Sequence, residues 1–447
     1  MIRDKLNNYI NSRPEDIFIH YNNNDITYEG MGYAIEGRVK SMQAIDIKKG
    51  ELVGLYFNNL LDLLEVLFSC IEIQAIPLII PNNFTSNEFQ NLNKRVKFDY
   101  LLTNWDKLDD LKDNKVPTFP VEELSPGIGG CAPSKKNKFK DSQIACLLLT
   151  SGTTGTPKIV QISLSNIIES CNAWNKQLNF KKEDIYLCCL PIHHIGGLAI
   201  IFRALLHGFK VVLLDQFDKD ISIDKIIKHK VSLVSFVPTM LSRVIQSENV
   251  TKLHSSLRGI ILSGSHSNSK LITDAIDKKL NIYKSYGMTE SSSGITGFWV
   301  KDNIEYIDSV GTTHNKVNIK IIKDEILVKG PSIVSEYYND KKINEWYKTN
   351  DIGYINKKGF LYVLNRNVRP ISGGENIDTK EVEEIICSHP NIKKVFIRST
   401  DDEEWGERII AYIKSDNLNE VEIKNWLKTK ISNYKIPKEF IFINNMD

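Results

Sequence analysis

A chain of 447 residues is long enough for two or three domains and a sizeable core. Its 42% hydrophobic, 25% charged and 9% aromatic residues, with 25 Gly and 14 Pro, exclude a disordered, collagenous or disulfide-scaffold protein. Fifty-seven Lys and Arg against 55 Asp and Glu leave a formal charge of +2, too little to steer the chain onto nucleic acid or anionic lipid, so a polyanionic ligand has to be held locally.

The opening residues Met1 to Asn8 carry charges and no apolar h-region, and Arg203 interrupts the apolar run Gly197 to Leu206, which argues against an export signal or membrane insertion. From Leu52 onward, short β-branched and apolar runs alternate with amphipathic stretches, the pattern of a parallel sheet with crossover helices. Strands are expected at Leu52–Phe57, Ile76–Ile80, Tyr100–Thr103, Ala145–Thr150, Ile185–Leu190, Val211–Leu214, Leu233–Val237 and Gly259–Ser263, with helices over Leu60–Ile73 and Thr239–Ser247. Glu122–Lys140, rich in Pro and Gly, reads as a loop. Past Asn315 the texture changes to short antiparallel strands at Val317–Ile322, Glu325–Val328 and Gly359–Leu364, joined by Asn, Asp, Lys and Gly turns. A hinge is expected around Leu364–Arg369, followed by helix, strand, strand and helix at Thr379–Cys387, Val395–Ser399, Arg408–Ile413 and Val421–Ile431. The seven cysteines form no CxxC or Cys/His spacing, so neither a disulfide framework nor a zinc site is indicated, and a reducing cytoplasm fits.

The sharpest local signal is Leu149-Thr150-Ser151-Gly152-Thr153-Thr154-Gly155-Thr156-Pro157-Lys158, directly after an apolar strand. Glycines let backbone N–H groups approach a phosphate, the hydroxyls add donors and Lys158 adds positive charge. Gly152 and Gly155 stand too close for the GxxxxGK[ST] loop. A plain Ser/Thr/Gly surface turn is the alternative, and the Pro-Lys ending after a buried strand favours phosphate binding.

With this loop, Leu190-Pro191-Ile192-His193-His194-Ile195-Gly196-Gly197, Phe236-Val237-Pro238-Thr239, Tyr286-Gly287-Met288-Thr289-Glu290, Thr349-Asn350-Asp351 and Ser372-Gly373-Gly374-Glu375-Asn376-Ile377 follow in order. The chain resembles the adenylate-forming acyl and aryl ligases over almost its whole length. The resemblance implies an α/β fold with a large N-terminal adenylate-forming domain of layered α/β subdomains and a small strand-rich subdomain over residues 1–364. A small α+β C-terminal lid domain, mobile and incomplete, would span 365–447. It also implies ATP, Mg2+ and CoA, a small carboxylic acid substrate, and no nucleic-acid partner; homo-oligomerisation is left open.

Residue by residue, the resemblance puts Thr150, Ser151, Gly152, Thr153, Thr154, Gly155 and Lys158 on ATP phosphates, Tyr286 on adenine, and Thr289 on phosphate. Glu290 would hold Mg2+, whose hard-oxygen preference a carboxylate satisfies. Asp351 would accept both ribose hydroxyls, with Arg366 beside them. Gly264 and Ser265 correspond to the small-residue segment between adenine and acyl pocket, and Gly287 belongs to the same lining. His194 would guard the carboxylate pocket, and Gly373 and Gly374 would line a pantetheine tunnel. Lys158, His194, Thr289 and Glu290 would carry the chemistry.

Read in isolation, a YGxTE run is a turn with an exposed acid, a lone His is a structural residue, an Asp near a Gly is turn chemistry, and a Gly-Gly pair is a turn. Three departures stand out: Ile159 replaces the usual glycine after Pro-Lys, and Leu364 to Ile371 fits the family hinge poorly. Arg366 takes the ribose role only with a one-residue deletion before Ser372, an ungapped alignment offering Asn365 instead; the hinge acid is missing and Pro370 restricts φ. Third, the chain stops at Asp447, past Tyr434-Lys435-Ile436-Pro437, before the family's Gly-Lys loop. That predicts either a truncated chain or impaired adenylation. The short length, the compressed Val317–Tyr337 region, His194 and the run Ile371 to Ile377 are most similar to the o-succinylbenzoate branch of menaquinone synthesis. The alternatives are another aryl or fatty acid, a carrier-protein acceptor, or an impaired nucleotide- or acyl-binding relative.

Overall fold

The computed structural model describes residues 2–112, 114–124, 142–150, 158–340, 342–343, 345–366, 370–372, 375–402, 405–415 and 418–443. Among them the strands assemble into four sheets. One sheet runs Thr118–Pro120, Tyr100–Thr103, Leu52–Tyr56, Ile76–Ile79, Ile144–Thr150, Lys158–Ser163, parallel except for the last pair. A nine-stranded sheet has a parallel centre of Gly259–Leu262, Leu233–Phe236, Ile185–Cys188 and Lys210–Leu213. Leu233–Phe236 and Gly259–Leu262 are buried along their whole length, as strands covered by helices on both faces must be.

The helices follow the same logic. Leu60–Ile73 is apolar nearly all round because it is packed on both sides. It starts where the Asn59 side chain accepts the Leu61 N–H at 2.9 Å and stops at Gln74 in the left-handed region. Ile195–His207 is equally apolar, ends on Gly208 at φ 77°, and buries one charged residue, Arg203.

The expected strands are present, several one or two residues shorter at their C-terminal ends. The hairpin Ile17–Tyr21/Asn24–Thr27, the strand Lys158–Ser163 and the strand Tyr347–Ile355 were not expected. The last alternates charged and polar residues with a few apolar ones, so its period is weak. Ile159, the departure after Pro157-Lys158, is 7% exposed and packs with Tyr56, Leu78 and Leu147; an apolar side chain there extends the core. The expected helix Val421–Ile431 covers Glu420–Lys428. Most of the expected loop Glu122–Lys140 and residues 367–369 of the hinge lie outside the described residues.

A small antiparallel sheet joins Asn318–Ile322, Glu325–Lys329, Tyr347–Ile355 and Leu361–Arg366. The C-terminal unit has its own core, including Ile377, Val382, Ile409, Ile423 and Phe440, around the long hairpin Ile392–Asp402/Gly406–Ser415. No helix among the described residues is long and apolar enough to cross a membrane, and the six described cysteines are free, five of them buried.

Candidate active site

At the expected phosphate loop, Thr150 ends one strand directly opposite Lys158, which begins the next. Ser151, Gly152, Thr153, Thr154 and Gly155 lie outside the described residues. Lys158 Nζ sits 4.8 Å from the ring centroid of Tyr337, and the Tyr337 hydroxyl donates to Glu290 Oε1 at 2.9 Å. The phenol thus bridges a cation and a carboxylate, fixing both at one end of the site. Tyr347 adds a second hydroxyl, 3.1 Å from that of Tyr337. Burial, reinforced by the Glu290 charge, raises both phenols, so they stay protonated donors. Glu290 is 9% exposed and sits in the single turn Thr289–Ser291 that follows the strand Ile282–Met288.

A second cluster forms at the carboxyl end of the same strand. Tyr286 Oη donates to Asp351 Oδ2 at 2.5 Å, across 65 residues of sequence. Asp351 is 1% exposed, and its N–H is satisfied by Thr349 Oγ1. On the neighbouring strand the Cα partner of Asp351 is Arg366, and that of Ile352 is Asn365. Gly264 and Ser265 follow Gly259–Leu262, whose Leu262 pairs with Lys284, so they lie level with Tyr286 at the strand ends where α/β sheets bind ligands. Gly264 has φ 94°, and a Cβ on Gly287 would stand 2.2 Å from the Ser293 carbonyl oxygen. Both positions require glycine.

His194 precedes helix Ile195–His207 as its N-cap and meets the C-terminal unit: its Nε2 lies 2.9 Å from both carboxylate oxygens of Glu375. Burial opposes charge on His194, but the Glu375 carboxylate outweighs it and raises the imidazole. Burial likewise opposes charge on Glu375, but His194 holds it down to about 2. His193 is lowered to about 3 by burial and by the neighbouring His194 charge. The ligand atoms of these three residues lie within 4.8 Å of one another, and the His194–Glu375 ion pair accounts for the grouping. Gly373 and Gly374, just before Glu375, lie outside the described residues.

Residues 6–338 match the family described as AMP-binding enzyme, and residues 381–447 match its C-terminal domain. The chain belongs to the AMP-binding enzyme family. It is 30% identical over 97% of its length to a 2-succinylbenzoate–CoA ligase of Bacillus pumilus, covering 92% of that protein. Among solved structures, a double mutant of the Bacillus subtilis o-succinylbenzoate CoA synthetase bound to the product analogue OSB-NCoA matches with TM-score 0.91 at 27% identity, covering 99% of this chain and 95% of that one. The same enzyme with the acyl-adenylate OSB-AMP matches at 0.75 with the same identity and coverage. The same enzyme thus matches this AMP-binding enzyme to different degrees in its two complexes.

Two site features of this family member escaped the sequence reading. Tyr337 is one, since nothing local marks a tyrosine 47 residues from Glu290 as its partner. Arg203 is the other. It is 2% exposed, its Nη2 donates to Ser293 Oγ at 2.7 Å, and its guanidinium lies 4.2 Å over the Trp174 ring. Among the described residues no carboxylate pairs with it, and its Nε, Trp174 Nε1, Ser292 Oγ and His314 Nδ1 are buried without hydrogen-bond partners. Ser292 and Ser293 sit at φ 54° and 111°, in strained conformations that cluster at functional sites. The available signal was an arginine inside the apolar run Gly197 to Leu206.

Proposed function

We propose that the chain is an AMP-forming acid–CoA ligase acting on o-succinylbenzoate, with ATP, Mg2+ and CoA, in the cytoplasm. The observation that carries the substrate is Arg203: a guanidinium taken out of water without a carboxylate partner is costly, and a second carboxylate on the acid would supply the partner. Trp174 beside it suits an aromatic ring. Family membership and the 2-succinylbenzoate–CoA ligase relatives point the same way.

In the first half-reaction a carboxylate oxygen of the acid attacks the α-phosphorus of ATP, the bond to the β-phosphate oxygen breaks, and pyrophosphate leaves with the electron pair. Lys158, Thr150 and the loop residues Ser151 to Gly155 would hold the β- and γ-phosphates, and Thr289 would donate to phosphate as negative charge shifts. Glu290, a buried oxygen donor fixed by Tyr337, fits Mg2+, which when bound neutralises phosphate charge. Tyr286 lies against adenine, Asp351 and Arg366 take the ribose, and Gly264, Ser265 and Gly287 leave room between adenine and acyl group. In the second half-reaction the CoA thiol gives its proton to solvent, its sulfur attacks the acyl carbonyl, the C–O bond to phosphate breaks and AMP leaves with the electron pair. His194, paired with Glu375, would flank that approach, and Gly373 and Gly374 would line it. On this reading residues 1–364 bind ATP and acid, and residues 365–447 form the mobile lid.

The test is steady-state kinetics of Arg203→Met against the wild type. The expected result is a KM for o-succinylbenzoate raised at least about tenfold, the magnitude of one charge-assisted contact, with the KM for ATP unchanged. Equal loss for a monocarboxylic aryl acid would overturn the role of Arg203. Preference of the wild type for another aryl or fatty acid would overturn the substrate, and absence of any acid-dependent AMP would overturn the ligase.

A further inference from the structure

Apart from the His194–Glu375 pair, the C-terminal unit meets the large domain through a buried charge cluster that the proposed chemistry leaves unexplained. Helix Ser86–Val96 opens with a capping box: Glu88 N–H donates to Thr85 Oγ1 at 3.2 Å and Thr85 N–H donates to Glu88 Oε2 at 3.0 Å. Such boxes ordinarily sit in water and need the glutamate only for that one bond. Here Glu88 is 8% exposed, and its Oε1 takes the ammonium of Lys435 at 2.8 Å, 347 residues away. Ser432 Oγ donates to Glu88 Oε2 at 2.7 Å, and Asn87 Nδ2 donates to the Lys430 carbonyl at 3.2 Å. Lys435, 6% exposed, also reaches Glu381 Oε1 at 2.9 Å. Burial opposes charge on Lys435 and Glu88, yet Tyr434, Glu88 and Glu381 together raise the lysine, and Lys435 lowers Glu88, so both stay ionised. Glu381 is raised, mainly by burial.

A buried ion pair contributes little net stability against well-hydrated separate charges, but it is strongly selective for the one geometry in which its members meet. In any other orientation of the C-terminal unit, Glu88 and Lys435 cannot both keep these bonds. Glu381 lies on helix Thr379–Cys387, which begins four residues after Glu375, the partner of His194. A third contact stacks Trp405 of the C-terminal unit on Arg243 of the large domain, 5.5 Å from guanidinium to ring centroid. Three separated contacts fix the orientation of a rigid body. Taken as a whole, the chain matches the OSB-NCoA complex at TM-score 0.91 and the OSB-AMP complex at 0.75.

We propose that Glu88 and Lys435 are positioning residues of the thioester-forming step: the capping-box glutamate of the large domain is the socket into which the lysine of the C-terminal unit locks for CoA attack. This rests on the ligase reading above. Neither residue is among those assigned above to acid, ATP or thiol, so the first half-reaction does not need the lock.

The experiment separates the half-reactions by rapid mixing, using o-succinylbenzoate and ATP first and CoA second, for wild type, Glu88→Gln and Lys435→Met. The amide of Glu88→Gln still caps the helix, so the fold is kept. Adenylate formation is expected to stay within about twofold of wild type while transfer to CoA slows at least about tenfold, the factor that corresponds to about 1.4 kcal/mol in the docking equilibrium. Equal slowing of both steps, the mark of a merely structural role, or no slowing of transfer would overturn the proposal. Small-angle X-ray scattering without substrates reads the orientation directly: the variants should depart from the wild-type profile, and superposition would overturn the proposal. If the wild type forms no thioester, the ligase reading fails on its own and scattering still decides the role of Glu88.

Discussion

In the role proposed for Arg203, substrate recognition and stability oppose each other. An unpaired buried guanidinium destabilises the empty protein, and burial lowers its pKa, whereas methionine fills similar volume without a charge. Arg203→Met is therefore expected to leave the melting temperature unchanged or raised, by thermal denaturation without ligand, while the affinity for o-succinylbenzoate falls; a large drop in melting temperature would mean that Arg203 is structural. Its role was hidden in the sequence because a single arginine in an apolar helix reads only as an interruption. Ser293 and Trp174, which mark it as a site residue, lie 90 and 29 positions away in sequence. The His194–Glu375 pair makes a second residue-scale prediction. His194 is raised above its ordinary 6.5, so the contribution of the pair to docking is full below that pH and fades as pH rises through the raised value. Glu375, held down to about 2 from 4.5, loses its contribution only as pH falls below its ordinary range. His193 and Lys435 also face Glu375 electrostatically, and neither changes charge in that interval: His193 stays neutral and Lys435 charged. Transfer to CoA should thus weaken on the alkaline side relative to a His194→Gln variant, whose pH profile lacks that component; identical profile shapes would refute the coupling.

Elements explain why some motifs were readable and others were not. The loop from Thr150 to Lys158 declares itself because its chemistry is contiguous. The run Tyr286 to Glu290 likewise lies on one strand end and one turn. The strand pairing that makes Gly287 necessary was not readable, since its partner Gly294 follows an irregular register between Tyr286 and Gly287. A methyl group at Gly287 would strike the Ser293 carbonyl and the Gly294 Cα, at 2.2 and 2.5 Å. Gly287→Ala must therefore push the strand Ser293–Trp299 away from Tyr286 and Glu290. Acid-dependent pyrophosphate exchange by this variant is expected to fall by about 100-fold or more, as displacements near 1 Å do in active sites; exchange within about twofold of wild type would show that the strands yield freely. The capping box at Thr85 was as local as the phosphate loop, yet its second use depends on a lysine that only the fold brings to it.

At the scale of the whole molecule, two sheets and their helices form a platform whose strand ends present Tyr286, Glu290 and Gly264, the small antiparallel sheet adds Asp351, and the C-terminal unit brings Glu375 to His194. The α/β character, the change of texture after Asn315 and the separate C-terminal unit were legible, because each follows from local period and turn chemistry. The orientation of that unit was not, because it is held by pairs more than 150 residues apart, such as His194–Glu375 and Glu88–Lys435. The central claim is that these parts make an AMP-forming ligase for o-succinylbenzoate. The most direct measurement is mass spectrometry of the products from ATP, Mg2+, CoA and o-succinylbenzoate carrying 18O in its carboxylates. The account predicts o-succinylbenzoyl-CoA together with AMP that has gained one 18O, the oxygen left on phosphorus when the acyl group departs to sulfur. AMP without label, ADP in its place, or the absence of the thioester would contradict it.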